Sequence, residues 1–244
     1  MRSFERVLII GASSGIGRSL AERLLKEGSS VAMVARRPSM TNDELSVTNG
    51  KAFVYQHDVT NYAEIPALFQ QITRDLGGLD LIIYSSGVMP MMDEHEYNFE
   101  KDREIIDVNV LGAFAWLGEA AKRFEQLKGG TVMGISSVAG ERGRRGNPAY
   151  CTSKAALTTY LESLRNRLSR FGVKVVTIKP GFIDTEMTRG KPGMFWVVPA
   201  DVAAARMLRA ARHGAGTVYV PSRWRYVTFV LKCIPSFVFR RLPV

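Results

Sequence analysis

The sequence predicts a doubly wound α/β domain built on a parallel sheet of about seven strands. Three observations carry this. Short aliphatic runs without polar alternation recur along the chain, as suits strands buried on both faces. Amphipathic stretches of helical period separate these runs almost throughout. A glycine cluster, Gly11-Ala12-Ser13-Ser14-Gly15-Ile16-Gly17, stands at the first strand–helix junction. No repeat, low-complexity run or linker interrupts the alternation, so residues 1–220 read as one domain and 221–244 as an extension.

The first strand is expected over residues 5–10, Glu-Arg-Val-Leu-Ile-Ile, and ends at the glycines. The helix that follows runs to about Lys26 and gathers Leu20, Leu24 and Leu25 on one face. Strand, glycine turn and helix in that order make a phosphate site. Glycines let the backbone approach a pyrophosphate, and the helix N-terminus offers it unpaired N–H groups and a positive dipole end. The spacing is Gly-x3-Gly-x-Gly. A second strand, Ser30 to Ala35, runs into Arg36-Arg37. In dinucleotide-binding folds a residue about 20 positions beyond the glycines meets the adenosine ribose, where an acid suits a 2′-hydroxyl and an arginine a 2′-phosphate. Arginine without an acid points to NADP(H) over NAD(H); the plain alternative is a surface Arg pair opening a loop.

Pro38 to Gly50 is polar and reads as one short helix with turns. A third strand follows over Lys51 to His57, with Asp58-Val59 at its carboxyl end, where the carboxylate either meets an adenine amino group or caps the helix beginning near Asn61. A helix from Tyr62 to Leu76 stops at Gly77-Gly78, and the fourth strand, Leu79 to Tyr84, leads into Ser85-Ser86-Gly87. This second small-residue turn is expected beside the first.

Residues 99–125 read as one long helix that carries Asn109 in an apolar stretch. A buried asparagine needs partners: it either braces a neighbouring loop or anchors a water beside the reacting groups. The fifth strand, Thr131 to Ile135, leads to Ser136-Ser137, and the loop Val138 to Pro148 crosses the mouth of the sheet. A helix over 149–171 then opens with Tyr150 and aligns Leu157, Leu161, Leu164 and Leu168. The sixth strand, Val173 to Lys179, ends at Pro180-Gly181, and Thr188 to Met194 is expected to form a lid. Pro199 to His213 has good start and stop signals for a helix, and Thr217 to Val220 is the seventh strand.

Ser137-x12-Tyr150-x3-Lys154 is the stretch that carries chemistry. Residues four apart share a helix face, so the ammonium reaches the neighbourhood of the phenol. A free phenol titrates near ~10, and a fixed positive charge favours the phenolate and moves it toward working range. Ser137 supplies a hydroxyl to hold the oxygen that the tyrosine protonates.

Composition narrows the remaining classes. Cys151 and Cys233 are too few for a disulfide framework, and His57, His95 and His213 stand singly, so no zinc site is expected. The apolar run Val7 to Ile10 is too short for a signal peptide, which makes cytoplasmic residence the default expectation. The net charge of +10 is uneven: after Asp201 there is no acidic residue, whereas Arg206, Arg209, Arg212, Arg223, Arg225, Lys232, Arg240 and Arg241 follow. Without any recognised nucleic-acid motif, no nucleic-acid partner is expected. The apolar, basic tail over 223–244 has three readings: a peripheral element at an anionic membrane, a flap over an apolar substrate, or an oligomer contact.

With these residues in place, the chain resembles the short-chain dehydrogenase/reductases of the compact, single-domain kind. Gly11, Gly15, Gly17, Asp58, Asn109, Ser137, Tyr150, Lys154 and Pro180-Gly181 fall in that family's order over about residues 5–220. The resemblance implies a Rossmann-type NADP(H)-binding domain in which Tyr150 is the general acid/base. Lys154 then lowers its pKa and holds the nicotinamide ribose, Ser137 orients the substrate oxygen, and Asn109 supports a proton relay. It further implies cofactor contacts at Ser13, Ser14, Ile16, Arg36, Arg37, Val59, Ser85, Ser86, Gly87 and Ile183, with Thr185 at the nicotinamide carboxamide. Two positions depart from the family pattern: Ile10 replaces a threonine before the first glycine, and Tyr84-Ser85-Ser86-Gly87 replaces Asn-Asn-Ala-Gly. The implied activity is interconversion of a carbonyl and a secondary alcohol, here reduction of an apolar or lipid-like ketone, in a homodimer or homotetramer built on the helices 99–125 and 149–171. A catalytically silent NADP-binding sensor is the competing reading, and the intact Ser137, Tyr150 and Lys154 argue against it.

Overall fold

A computed structural model describes residues 4–37, 49–190 and 193–242. The short helix expected from Pro38 onward lies outside the described residues as far as position 48. Seven parallel strands form the sheet: β1 (Arg6–Ile10), β2 (Ser30–Ala35), β3 (Ala52–Gln56), β4 (Leu81–Tyr84), β5 (Thr131–Ile135), β6 (Lys174–Pro180) and, at the far edge, β9 (Thr217–Val220). Their spatial order is β3-β2-β1-β4-β5-β6-β9. The order reverses between β1 and β4, and in open sheets of this kind ligands bind beyond the strand carboxyl ends at that reversal. The sheet is therefore the doubly wound type expected.

Alternation along each strand sends side chains to opposite faces and makes two core layers. Leu8, Ile10, Val34 and Tyr84 pack on one face with α2 (Ile65–Asp75), α4 (Gly112–Leu127) and α5 (Pro148–Leu168). Val7, Ile9, Ile83, Met133 and Ile178 pack on the other with α1 (Gly15–Lys26) and α6 (Ala200–His213). A two-stranded parallel pair, β7 (Ile183–Asp184) and β8 (Val198–Pro199), joins the chain on either side of the Thr188–Met194 segment expected to form a lid; residues 191–192 of that segment lie outside the described residues.

The helix expected over 99–125 is not uniform. It is α3 (Phe99–Ile106), a π turn at Asp107–Leu111 and then α4, with the Gly112 amide bonding to the Asp107 carbonyl. Single π turns inside α-helices concentrate at functional sites. Here the phenol of Tyr84, one of the two departures from the family pattern, donates to the Val108 carbonyl at 2.5 Å. A Cβ on Gly112 would stand 2.6 Å from that phenol oxygen, so glycine at 112 makes the room Tyr84 needs. The wide turn and Tyr84 thus fit one another, and Asn109 sits at its centre.

Candidate active site

The glycine turn opens a cleft of about 570 Å³ across the carboxyl ends of β1, β4, β5 and β6. Gly11 has φ +87°, and a Cβ there would stand 2.5 Å from the Ser86 amide nitrogen. The two small-residue turns therefore meet at the sheet reversal, and only glycine allows their approach. A Cβ on Gly17 would run into the Gly11 carbonyl oxygen. At the N-terminus of α1, Ser14 makes no side-chain capping bond and the first turn carries no acidic residue. Orphan N–H groups and a positive dipole end beside a Cβ-free backbone fit a pyrophosphate. Thr185 stands against this turn, its methyl 3.2 Å from where a Gly15 Cβ would be.

Ser137, Tyr150 and Lys154 line the same cleft. Asn147 caps α5 by accepting from the Tyr150 amide at 2.9 Å, and Pro148 follows at the first turn. One turn on, the buried Lys154 ammonium lies 5.6 Å from the centre of the Tyr150 ring and donates to the Ile135 carbonyl at 3.1 Å. Ser136 holds the helix against the sheet by donating to the Lys154 carbonyl at 2.9 Å, which leaves Ser137 to face the cleft, where its hydroxyl accepts from the Ala139 amide at 3.0 Å and stands beside the Tyr150 phenol.

The titration of this pair differs from expectation. Burial pushes the Tyr150 phenol up to about 12; the Ser137 hydrogen bond pulls the other way, and Lys154 is not among the influences that decide the balance. Burial also pushes the Lys154 ammonium down, to about 8. At neutral pH the site therefore presents a protonated phenol and a charged amine. Such a pair can donate a proton.

Asn109 is fully buried, and its side chain bonds directly to protein. Its Oδ1 accepts from the Val88 amide at 2.8 Å, and its Nδ2 donates to the Val88 carbonyl at 3.1 Å and to Ser153 Oγ at 3.0 Å. Ser153 in turn donates to the Tyr150 carbonyl at 2.8 Å. Bracing the loop after β4, one of the two roles open to it in the sequence, is what these side-chain bonds perform. A Cβ on Gly87 would lie 3.4 Å from both Asn109 Oδ1 and Lys154 Nζ, so this turn too runs close to the site.

At the other end of the cleft the exposed Arg36 guanidinium lies 3.8 Å from Asp58. Burial would raise the Asp58 carboxyl, but bonds from the Thr60 amide and hydroxyl, together with Arg36, hold it below its ordinary value. Asp58 thus closes a turn onto Thr60 ahead of Tyr62–Glu64, where Asn61 itself makes no side-chain cap.

The profile for "short chain dehydrogenase" matches residues 5–194. This chain belongs to that family. An oxidoreductase of Myxococcus xanthus, described as uncharacterized, is 34% identical over 242 residues, 97% of this chain and 95% of its own. Among solved structures, a short chain dehydrogenase from Burkholderia cenocepacia in complex with NADP superposes with a TM-score of 0.83 at 24% identity, covering 100% of both chains. A short-chain type dehydrogenase/reductase from Mycobacterium marinum gives 0.82 at 25% identity, over 90% of this chain and 95% of its own.

The tail of this short-chain dehydrogenase, beyond the matched residues, folds against the loop that follows Ser137. After β9 come α7 (Trp224–Cys233) and α8 (Ser236–Phe239). Trp224 packs on Gly181 and on the rings of Phe182 and Phe195, at 5.7 and 5.2 Å. The short turn Val138–Glu141, which begins at Ser137, ends in a buried carboxylate. Glu141 accepts from Lys179 Nζ and from the Tyr219 hydroxyl, each at 2.6 Å, and pairs with Lys232 of α7. Next to it Arg142 donates to the Leu231 and Ile234 carbonyls and lies 3.9 Å over the Phe239 ring.

Several of these contributors escape a sequence reading. Asn147-Pro148 carries a readable start signal for α5, yet its register on Tyr150 emerges only in three dimensions. Ser153 looks like any helix serine, and Glu141 like any loop acid. His57, buried against Trp116 at 5.6 Å between ring centres, lines the cleft beside Asp58.

Proposed function

We propose that the protein is an NADP(H)-dependent oxidoreductase that interconverts a carbonyl and a secondary alcohol and works as a reductase of apolar, lipid-like ketones. The observation that carries this reading is the convergence of Ser137, Tyr150 and Lys154 in one cleft whose far end carries the exposed Arg36 at the close of β2. The glycine turn, the N-terminus of α1, Val59, Ile183 and Thr185 fit the remainder of a dinucleotide, and the NADP bound to the Burkholderia relative supports the choice. When bound, the reduced nicotinamide supplies the hydride.

The protein's own groups handle the oxygen. Tyr150, protonated at neutral pH, delivers its proton to the carbonyl oxygen while Ser137 donates a second hydrogen bond to the developing charge. The Lys154 ammonium stabilises the phenolate left behind. A donor held protonated in the resting site supports reduction as the working direction. Val88, Met89, Phe182 and Met187 line the cleft beyond these groups and favour an apolar substrate. Cytoplasmic residence, and a homodimer or homotetramer built on α4 and α5, complete the reading; the exposed Phe114 and its neighbour Tyr160, 4.1 Å apart on those helices, support such a contact.

Tyr150→Phe tests the proton donor. NADPH binding, followed by fluorescence titration, is expected to stay within about twofold of the parent, while ketone-dependent NADPH oxidation falls by about 10²–10⁴-fold. Turnover persisting in the variant refutes the assignment, and a panel of ketones read by NADPH absorbance identifies the substrate.

A further inference from the structure

The C-terminal helices present an outer face that packs on nothing among the described residues. α7 turns Trp224 and Thr228 inward and Arg225, Tyr226, Phe229 and Val230 outward; Tyr226 is 74%, Phe229 68%, Val230 59% and, on α8, Phe237 59% exposed. Single exposed apolar residues are ordinary, but a cluster of large ones on one element is not. The exposed Phe195 and Trp196 adjoin it by stacking on Trp224 at 5.2 and 5.9 Å. Phe182, which lines the cleft, touches both Phe195 and Trp224, so the apolar face continues to the rim of the active site.

The charge on this face has one sign. Arg223 lies 4.3 Å over the Trp196 ring, and among the described residues no carboxylate pairs with Arg225, Arg240 or Arg241. The cations between tail and loop are already engaged: Arg142 and Arg145 donate to carbonyls of the tail, and Lys232 meets Glu141. The face is thus fixed to the loop that follows Ser137 and presented as a firm surface.

We propose that α7 and α8 dock the protein on an anionic lipid bilayer, with α7 lying in the headgroup plane. Aromatic and aliphatic groups mixed with arginine suit the boundary between acyl chains and anionic headgroups. Among the described residues no helix is long and apolar enough to cross a membrane, so the contact is peripheral. A second copy of the chain fits the face poorly. An isologous contact would set Arg225, Arg240 and Arg241 against their own counterparts, with no acidic residue from position 202 onward to meet them. An anionic bilayer supplies both the counter-charge and the apolar layer. This inference is independent of the reaction, and its readout is not turnover.

The test is flotation of the full chain with vesicles of phosphatidylcholine mixed with phosphatidylglycerol, beside vesicles of phosphatidylcholine alone. The protein is expected to float with the anionic vesicles at low salt, to remain behind with the neutral ones, and to be released progressively by added salt. Phe229→Ser with Phe237→Ser is expected to cut binding about tenfold or more, and Arg225→Ser about fivefold. Circular dichroism and melting temperature show that each variant is folded, which these exposed positions allow. Failure to float at low salt overturns the proposal, as does equal binding to both vesicle types or unchanged binding in both variants. Conversion of a dimer to a monomer by the double serine variant, with vesicle binding unaffected, assigns the face to a second copy instead and also overturns it.

Discussion

Replacing Glu141 by Gln removes the charge at the junction of the loop after Ser137, the sheet and the tail while keeping the side chain's shape. The side chains of Glu141 and Lys179 are 3% and 7% exposed, so the variant leaves a buried ammonium without a counter-charge. Breaking a buried pair in this way costs about 3–5 kcal/mol, whereas the pair with the half-exposed Lys232 contributes about 0–1 kcal/mol. For a chain of this size each kcal/mol moves the melting temperature by about 2–4 °C, so Glu141→Gln should melt about 6–20 °C below the parent at pH 7. The effect also has a pH signature. Burial raises the Glu141 carboxyl, but bonds from Lys179, Lys232 and Tyr219 outweigh it and hold the group below its ordinary value. A depressed carboxyl contributes stability above its unfolded pKa and loses it as pH falls through the folded one. The gap between parent and variant should therefore be widest near neutrality and close in acid. Differential scanning fluorimetry from about pH 3 to 8 measures it, and Glu141→Met with Lys179→Met should recover much of the loss, because a dry apolar pair needs no counter-charge. A Gln variant within about 0.5 kcal/mol of the parent at pH 7, or a gap that widens in acid, refutes the reasoning.

Further outcomes follow from the cleft. Arg36→Asp should lower the NADPH-to-NADH preference by about 10-fold or more, since a charge-assisted bond to a phosphate contributes about 1.5–3 kcal/mol; an unchanged ratio in binding titrations rejects the ribose reading. Asn109→Ala orphans the Val88 amide at about 1–3 kcal/mol and loosens Tyr150 through Ser153, so calorimetry should show a lower melting temperature and assays a lower kcat; a variant that melts with the parent removes the bracing role. Burial holds Lys154 down at about 8, so kcat/KM for NADPH in reduction should decline as pH rises through about 8, and a profile flat to about pH 10 counts against a charged amine. The same depression makes the unfolded chain the stronger proton binder between about 8 and 10.5, so the Lys154 contribution to stability rises with pH across that window.

The strands were legible because burial on both faces leaves a local mark: Val7 to Ile10 and Leu81 to Tyr84 are aliphatic or aromatic at every position and end in small residues. Gly11, Tyr150 and Lys154 were legible because close backbone approach and i,i+4 spacing are written in adjacent letters. What was not legible depends on partners distant in sequence. The π turn is met by Tyr84, 24 residues before Val108, and Glu141 meets Lys179 and Tyr219 across 38 and 78 residues. The upward push on Tyr150 was hidden for a related reason. Spacing shows that Lys154 is near but not that both groups are buried, and burial is the larger influence on each.

The tail shows why composition alone left three readings open. Its apolar and basic residues are interleaved, and only the helix phase sorts them, sending Trp224 and Thr228 toward the cleft wall and Tyr226, Phe229 and Val230 away from it. The helix thus has an inner side packed against Gly181 and Phe182 and an outer side turned away from them. Because Glu141 and Arg142 bind that helix from the loop that starts at Ser137, the inner side of the helix and that loop pack as one unit. Loss of the Glu141 clasp should therefore lower kcat as well as stability, whereas loss of Phe229 and Phe237 should change vesicle binding alone.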